Sequence, residues 1–230
     1  MVNQTYKNRV FSLLGDSIST LEGYNPPECA VFYDWQNRCL SDVLAPSDTW
    51  WGRVIDTLGG DLLVNNSWSG SLVCKHPDCE IESYGCSDAR TSALGIGNKT
   101  PDVIMILMGL NDFGYGMRIE QTDDTGDLSV FGVAYDSMLK KLKTNYPEAE
   151  IWCLTLPVGY LSRQPDFVPI LKRSGGTLSD YCRVIEKCAE RNGCKTIGIY
   201  EPENPYDTVD GYHPTASGMK TIADAVLKQI

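Results

Sequence analysis

The chain has 230 residues, of which 42% are hydrophobic and 22% are charged, an ordinary composition for a globular domain with a complete core. Its formal net charge of -10 repels phosphate backbones and anionic lipid headgroups, so nucleic acid and membrane surfaces are disfavoured as partners. No apolar stretch approaches the roughly 20 residues that a membrane span needs. These numbers favour a protein that binds a neutral or cationic small molecule.

We predict one domain over residues 1–230, because no linker rich in Pro, Gly or Ser divides the chain and no internal repeat is present. The first residues lack the apolar segment of a secretory signal, which favours a cytoplasmic location, or secretion if a signal precedes this sequence in nature. Composition leaves the oligomeric state open.

Predicted strands and helices alternate along the chain. Short, nearly continuous apolar runs rich in β-branched residues are typical of strands buried on both faces, and they lie at residues 9–14, 62–66, 103–108, 151–156 and 195–200. Segments with helical periodicity lie at residues 48–58, 130–145, 178–191 and 216–230. This alternation predicts an α/β fold, a three-layer α/β/α sandwich around a five-stranded parallel sheet.

Helix caps and long connections complete this prediction. We expect N-caps at Ser47 or Asp48, at Ser179 or Asp180, and at Thr215. Four connections are too long for ordinary α/β loops and are predicted to be functional loops or small subdomain elements: residues 21–46, 74–87, 113–127 and 159–177. The first three begin at carboxyl ends of strands, where binding sites of open parallel sheets lie.

The chain contains nine cysteines, and a chain of this size needs no disulfide to fold. We expect most thiols to be free. One segment combines Cys74, His76, Cys79 and Cys86, which could supply four tetrahedral zinc ligands or a Cys74–Cys79 disulfide. Its spacing matches no common zinc motif, so free thiols, a structural metal and a disulfide stay open as alternatives.

The first predicted strand runs into Gly15, Asp16 and Ser17. Gly15 permits a tight turn, after which Ser17 would present both its hydroxyl group and its N–H at the carboxyl edge of the sheet. Serine is a weak nucleophile unless a base takes its proton. This strand end is therefore a candidate catalytic element that needs a base from elsewhere in the chain.

Only His76 and His213 could supply an imidazole base. Asp210 precedes His213 by three residues, and an Asp-x-x-His turn can hold one ring nitrogen while leaving the other free to accept a proton. Such a turn alone is more often a surface turn that caps the following helix. Its place between the last predicted strand and helix puts it on the same sheet edge as Ser17, which favours the catalytic interpretation.

Acyl transfer also needs hydrogen-bond donors aimed at the developing oxyanion. Gly70, after the second predicted strand, can present a backbone N–H, and Asn111, after the third, can present its side-chain amide. Either residue alone would be interpreted as a simple turn residue. Together with the Ser17 N–H they predict an oxyanion hole of three donors.

Four blocks in this order resemble the SGNH hydrolase family, the GDSL-like lipases, esterases and acylhydrolases. The blocks are Gly15-Asp16-Ser17, Gly70, Gly109-Leu110-Asn111-Asp112 and Asp210-Gly211-Tyr212-His213. The first departs slightly from the family pattern, because the usual Gly-Asp-Ser-Leu reads Gly-Asp-Ser-Ile here, a conservative packing change. The resemblance implies a single SGNH hydrolase domain with a flavodoxin-like fold, hydrolysis of esters or thioesters, and no obligatory cofactor.

By the same resemblance, Ser17 is the nucleophile, and His213, oriented by Asp210, is the general base. The oxyanion hole is implied to consist of the Ser17 and Gly70 amides and the Asn111 side chain, with no catalytic metal. We expect the two other acids of these blocks to be structural and to tie loop amides through side-chain hydrogen bonds; they are Asp16 and Asp112.

The substrate is predicted only coarsely. Trp68, Phe113 and Tyr115 are candidate substrate-binding residues, because flat sugar rings and acyl chains both pack on aromatic side chains. No amphipathic surface helix or continuous apolar lid favours long-chain lipids. Resemblance to carbohydrate deacetylases of the family implies short acyl groups, acetyl among them, on a glycan or small polyol; a lipid acylhydrolase or a thioesterase with the same triad is the alternative.

A non-catalytic function is also compatible with the predicted fold. In a flavodoxin-like binding module, the hydroxyl-rich loop at residues 17–20 would hold a phosphate at a helix N-terminus. Asp16 at the entrance of that loop would oppose a phosphate dianion, and the pair of Asp210 and His213 would have no role. The hydrolase interpretation accounts for more of these residues.

Overall fold

The computed structural model describes residues 4–76, 83–119, 126–162 and 176–230. Its strands in these ranges are β1 Val10–Gly15, β2 Asp61–Ser67, β3 Val103–Leu107, β4 Glu150–Leu154, β5 Gly159–Tyr160, β6 Lys195–Ile197 and β7 Tyr206–Asp207. Its α-helices there are α1 Trp35–Ser41, α2 Trp50–Leu58, α3 Asp88–Thr91, α4 Leu110–Tyr115, α5 Phe131–Asn145, α6 Leu178–Arg191 and α7 Ala216–Leu227.

Five of these strands form one parallel sheet in the order β2-β1-β3-β4-β6. The order reverses at β1, where the chain moves first to one neighbour and then across to the other side. This is the flavodoxin-like strand order, and its switch point is where ligands bind in open α/β sheets. The predicted fold class and five-stranded parallel sheet are confirmed.

The alternation of side chains along each strand builds a separate core on each face of the sheet. Phe11 and Leu13 of β1 pack with α2 and α7, whereas Leu14 packs with α5 and α6. In β3, Met105 faces the first core and Ile106 the second. Because both faces are covered by helices, the strands are apolar throughout, and the structure has the three predicted layers.

Helix ends are fixed by side-chain caps, and two of the three predicted caps were misplaced. Helix α2 is capped by Thr49, whose hydroxyl accepts from the Gly52 N–H, not by Ser47 or Asp48. Helix α6 is capped by Thr177 instead of Ser179 or Asp180, and the Asp180 side chain, at the third helical position, accepts from the Thr177 N–H to complete a reciprocal capping box. Thr215 caps α7 as predicted.

The long connections contain short helices that apolar periodicity cannot reveal, because they span two turns or fewer. Helix α1 lies within the connection at residues 21–46, α3 directly follows the connection at residues 74–87, and α4 is separated from β3 by two residues and runs into the connection at residues 113–127. The last sheet strand is also shorter than predicted, Lys195–Ile197 instead of 195–200. A second, two-stranded sheet of β5 and β7 was not predicted.

Three further expectations concern membranes, metals and thiols. Among the described residues, no helix is long and apolar enough to cross a membrane. The same part of the chain holds no group of three or more His, Cys, Asp or Glu side chains that could bind a metal ion. Cys74 and Cys86 are buried free thiols, but Cys79 lies outside the described residues, so the proposed zinc site and the Cys74–Cys79 disulfide stay predictions.

Candidate active site

The carboxyl end of β1 turns sharply and places Ser17 at the sheet edge. A Cβ atom at Gly15 would lie 2.6 Å from the Ser67 hydroxyl oxygen and 2.7 Å from the Ser19 Cβ, so only glycine fits this turn. Asp16 then caps a short 3-10 turn, Ser17–Ser19, by accepting from the Ile18 N–H at 3.1 Å. The Ser17 side chain is thereby fixed with 7% of the residue exposed.

The turn before α7 brings His213 to Ser17 across 196 residues of sequence. The His213 Nε2 atom lies 2.9 Å from Ser17 Oγ, and its Nδ1 atom lies 2.6 Å from Asp210 Oδ2. The other carboxylate oxygen of Asp210 accepts from the backbone N–H groups of Tyr212 and His213. Because Nδ1 faces a carboxylate, it carries the ring proton, and Nε2 accepts from the Ser17 hydroxyl.

The Asp210–His213 contact also sets the charge of the acid. Burial acts to raise the pKa of Asp210, but the hydrogen bond and electrostatic attraction of the His213 ring, together with the backbone N–H groups of His213 and Tyr212, outweigh burial, and the pKa lies below its usual range. Asp210 is therefore ionised near neutral pH. A carboxylate in this position stabilises an imidazolium when His213 takes a proton.

One aromatic side chain at this site was missed by sequence reasoning. The Phe32 ring stacks on the His213 imidazole with centroids 3.4 Å apart and planes 8° apart. The Phe32 N–H donates to Thr20 Oγ1, and the next residue, Tyr33, donates its hydroxyl to the Pro214 carbonyl. The connection at residues 21–46 was predicted to be functional, but nothing in its sequence pattern marks Phe32.

The two further oxyanion-hole candidates lie on neighbouring loops that contact each other. Gly70 sits in a turn with φ of 78°, and the next residue, Ser71, accepts a hydrogen bond from Asn111 Nδ2 at 3.0 Å. That bond uses one N–H of the amide and leaves the second. Within the described part of the chain, the N–H groups of Ser17 and Gly70 donate to no protein acceptor, so both are available to a ligand.

The acids of the first and third blocks tie loop backbones together, as predicted. Asp112 accepts from the N–H groups of Val73 and Cys74 at 2.8 and 3.0 Å, which anchors the segment after Gly70 to α4. Burial raises the pKa of Asp112 and raises the pKa of Asp16 to about 7. In the described part of the chain, the ring of His213 hydrogen-bonds Asp210 and Ser17 and neither of these two acids.

A cavity of about 300 Å³ opens beside Ser17. Its described lining residues are Asp16, Ser17, Ile18, Leu110, Asn111, Gly114, Tyr115, Tyr212 and His213. Tyr115 therefore lies where a substrate-binding residue was predicted. Trp68 and Phe113 are not among these lining residues; Phe113 instead packs edge-on against Tyr181, with ring centroids 5.5 Å apart.

The hydroxyl groups that a phosphate-binding loop would use are already engaged. Ser19 Oγ accepts from the Trp50 indole N–H, and Thr20 Oγ1 donates to the Ser17 carbonyl. Both side chains are fully buried. These contacts argue against a phosphate-binding loop at residues 17–20. In addition, His213, held by Asp210, hydrogen-bonds Ser17, so this pair has a role that the phosphate-binding interpretation does not give it.

Comparisons with known proteins bear on the family and the fold of the chain. The sequence pattern of the family described as GDSL-like lipase/acylhydrolase matches residues 9–157. No curated protein matches the chain. Among solved structures, proteins assigned as GDSL-like lipases are similar: one from Bacteroides ovatus has a TM-score of 0.76 at 27% identity, covering 97% of this chain and 98% of that one. Another, from Bacteroides uniformis, has a TM-score of 0.73 at 28% identity, covering 97% and 95%.

A more distant structure shares the fold. It is a carbohydrate esterase family 2 enzyme with a carbohydrate-binding domain from Myceliophthora fergusii, with a TM-score of 0.59 at 18% identity, covering 96% of this chain and 65% of that one. The family pattern spans the blocks of Ser17, Gly70 and Asn111, and the two Bacteroides structures extend the similarity through the turn of His213. The chain therefore belongs to the GDSL-like lipase/acylhydrolase family, whose members cleave esters.

Proposed function

We propose that this protein hydrolyses short-chain acyl esters through an acyl-enzyme intermediate on Ser17. The observation that carries the proposal is the continuous line of hydrogen bonds from Asp210 through His213 to Ser17, at 2.6 and 2.9 Å. His213 takes the Ser17 proton as the oxygen attacks the ester carbonyl, and it then protonates the leaving alcohol. In the second half, His213 activates a water molecule that releases the acid.

The negative oxygen of each tetrahedral intermediate needs donors that are already in place. We assign this role to the N–H groups of Ser17 and Gly70 and to the second N–H of Asn111. The Asn111 side chain is held by its bond to the Ser71 carbonyl, so it loses little conformational freedom when the oxyanion forms. The stacked Phe32 ring holds the imidazole plane that the proton transfers require.

The dimensions of the site favour small acyl groups. A cavity of about 300 Å³ lies at the lower end of the range for small-molecule sites, roughly 300–1,000 Å³. Its apolar walls, Ile18 and Leu110, accommodate a short chain, and Tyr115, which is 60% exposed, provides a flat ring at the rim. We propose acetyl or a similarly short acyl group, on a carbohydrate or small polyol that stacks on Tyr115.

The test is initial-rate hydrolysis of p-nitrophenyl acetate, butyrate and octanoate at neutral pH. We expect the rate to fall as the acyl chain lengthens, to be unaffected by a chelator, and to disappear in Ser17→Ala. Ser92→Ala is the matched control, because Ser92 is an exposed serine that lies outside the cavity lining. Activity that survives Ser17→Ala would remove Ser17 from the mechanism, and a rate that rises toward octanoate would favour a lipid acylhydrolase.

Two further variants test the assigned roles on the same substrates. His213→Ala is expected to lower kcat by about 10³-fold or more, because nucleophile and base act as a unit. Asn111→Ala is expected to cost roughly 10²-fold, the usual effect of losing one oxyanion donor. An Asn111→Ala variant with the wild-type rate would mean that another group stabilises the oxyanion.

A further inference from the structure

A buried arginine lies directly behind the proposed oxyanion hole. Arg90 belongs to the short helix α3 and is 2% exposed. All five of its guanidinium N–H groups donate to neutral oxygen acceptors, which belong to Gly15, Asn66, Ser71 and Ser83. A side chain with every donor satisfied in a rigid planar fork is held in one orientation and fixes its acceptors in return.

Three of these four acceptor residues belong to segments that meet at the site: Gly15, Asn66 and Ser71. Nη2 donates to the Gly15 carbonyl at 3.0 Å, at the end of β1, and to the Asn66 carbonyl at 2.7 Å, near the end of β2. Nη1 donates to the Ser71 hydroxyl at 2.9 Å, and Ser71 directly follows Gly70. One guanidinium group thus connects the strand end that carries Ser17 to the turn that carries Gly70.

The contact with Ser71 extends to the third proposed donor. The Ser71 carbonyl accepts from Asn111 Nδ2 at 3.0 Å, so a displaced Ser71 would take the Asn111 amide with it. We propose that Arg90 is a positioning residue for ester hydrolysis, which holds the loops of Ser17, Gly70 and Asn111 at the spacing that the oxyanion requires. This inference rests on the proposed function of Ser17.

The position of the charge agrees with this role. Burial lowers the pKa of Arg90 to about 10, and the nearby Cys29 and Asp16 act in the opposite direction, so the guanidinium group is still positively charged at neutral pH. A buried cation is unfavourable unless its hydrogen bonds are complete. A positive charge at this place also favours a negative charge that develops at the adjacent oxyanion.

The test is a double-mutant cycle of Arg90→Lys and Asn111→Ala, with kcat and KM measured separately on p-nitrophenyl acetate. Lysine keeps the charge but cannot make the planar fork, so we expect kcat to fall about 10- to 100-fold with little change in KM. In the Asn111→Ala background, the same change is expected to lower kcat clearly less than it does in wild type, because one of the three donors that Arg90 helps to orient is already absent.

Ser71→Ala and Tyr146→Phe separate positioning from general destabilisation. Ser71→Ala removes one acceptor of Arg90 and is expected to lower kcat less than Arg90→Lys does. Its effect should again be non-additive with that of Asn111→Ala. If Arg90→Lys does not fold, Ser71→Ala replaces it in the cycle. Tyr146 bonds the Ser92 carbonyl and the Leu94 N–H just after α3, away from the cavity. Tyr146→Phe should therefore lower Tm while leaving kcat within about twofold.

The cycle has distinguishable outcomes. Non-additive losses in kcat for Arg90→Lys or Ser71→Ala, with near-normal kcat in Tyr146→Phe, support the proposal. Additive losses in kcat would overturn it. So would a loss of kcat in Tyr146→Phe that has the same ratio to its drop in Tm as in Arg90→Lys. In either case Arg90 only stabilises the fold. Wild-type protein and Ser17→Ala are measured alongside, and equal rates in these two would overturn both this proposal and the proposed function.

Discussion

Asp16, the residue before the proposed nucleophile, has a carboxyl group that is almost fully buried. Burial raises its pKa from about 3.8 to about 7, against the hydrogen bond from the Ile18 N–H, which acts in the opposite direction. The folded protein therefore binds this proton more tightly than the unfolded chain. By linkage, the contribution of Asp16 to the free energy of unfolding is largest at low pH and is lost as the pH rises from about 4 to about 7.

Asp16→Asn removes this titration and is expected to change the pH dependence of stability. Relative to wild type, the Tm of the variant should improve between pH 5 and about pH 7 and then level off, because only the wild type must ionise a buried acid as the pH rises through this range. Thermal unfolding at four pH values measures the difference. Asp56→Asn, at an exposed position, is the control, and curves for Asp16→Asn that run parallel to wild type would show that Asp16 is ionised throughout.

Residue-level prediction from sequence worked where the signal was local. Asp210 and His213 are three residues apart, and their contact depends on one turn; Ser17 lies two residues after the glycine that ends β1. Phe32 and Arg90 reach the site only through tertiary packing, from segments whose own sequence has no matching motif. A lone arginine outside any recognised motif is ordinarily a solvent-exposed residue, so the burial of Arg90 could not be inferred.

At the scale of elements, the contact between α7 and β7 positions the turn of His213. A Cβ atom on Gly218, in the first turn of α7, would lie 2.1 Å from the Asp207 carbonyl oxygen. The same carbonyl accepts from the Thr215 N–H at 3.0 Å. The turn that carries Asp210 and His213 runs between these two elements, so their separation determines where the imidazole lies.

Gly218→Ala tests this dependence, although alanine is the better helix former. The added methyl group must push α7 away from β7, which we expect to lower the free energy of unfolding by about 1–3 kcal/mol and kcat by roughly tenfold or more through displacement of His213. Ser217→Ala, at an exposed position in the same turn, controls for helix propensity. Denaturant unfolding and kcat equal to those of Ser217→Ala would contradict the expectation.

Elements with a long apolar pattern were predictable, and short ones were not. The helices at α5 and α6 repeat their apolar residues over three or more turns, and the predicted bounds at residues 130–145 and 178–191 agree with the structure within one residue. Helix α4 spans Leu110–Tyr115, too short for periodicity to appear. Gly109, with φ of 125°, is its N-cap. The prediction had a loop after the strand at residues 103–108, so this helix was missed.

On the scale of the whole molecule, the layer arrangement followed from sequence because each strand is apolar on both sides. Strand β3 is completely buried, and a strand of this kind needs a helix on each face. The position of the site at the switch point between β2, β1 and β3 follows from the topology rules of parallel sheets. The small β5–β7 sheet has two residues per strand, below the length at which a strand pattern can be recognised.

Net charge is a property of the whole chain that bears on its substrates. The excess of 30 acidic over 20 basic residues creates a negative field, and the described residues that line the cavity include no lysine or arginine. Such a field slows the approach of anions and favours that of cations, and salt screens it. Substrates of equal shape but different charge should therefore differ most in kcat/KM at low ionic strength.

Three aryl acetates provide this comparison: 4-acetoxybenzoate, 4-acetoxybenzamide and 4-acetoxy-N,N,N-trimethylanilinium. We expect the anionic ester to have the lowest kcat/KM at about 0.01 M ionic strength, where the screening length is about 30 Å, and to gain several-fold on the neutral amide by about 0.15 M, where that length is about 8 Å. The cationic ester should change in the opposite direction, and the neutral ester should be nearly constant. Ratios that do not respond to salt would show that the local dipoles of the cavity, and not the net charge, select the substrate.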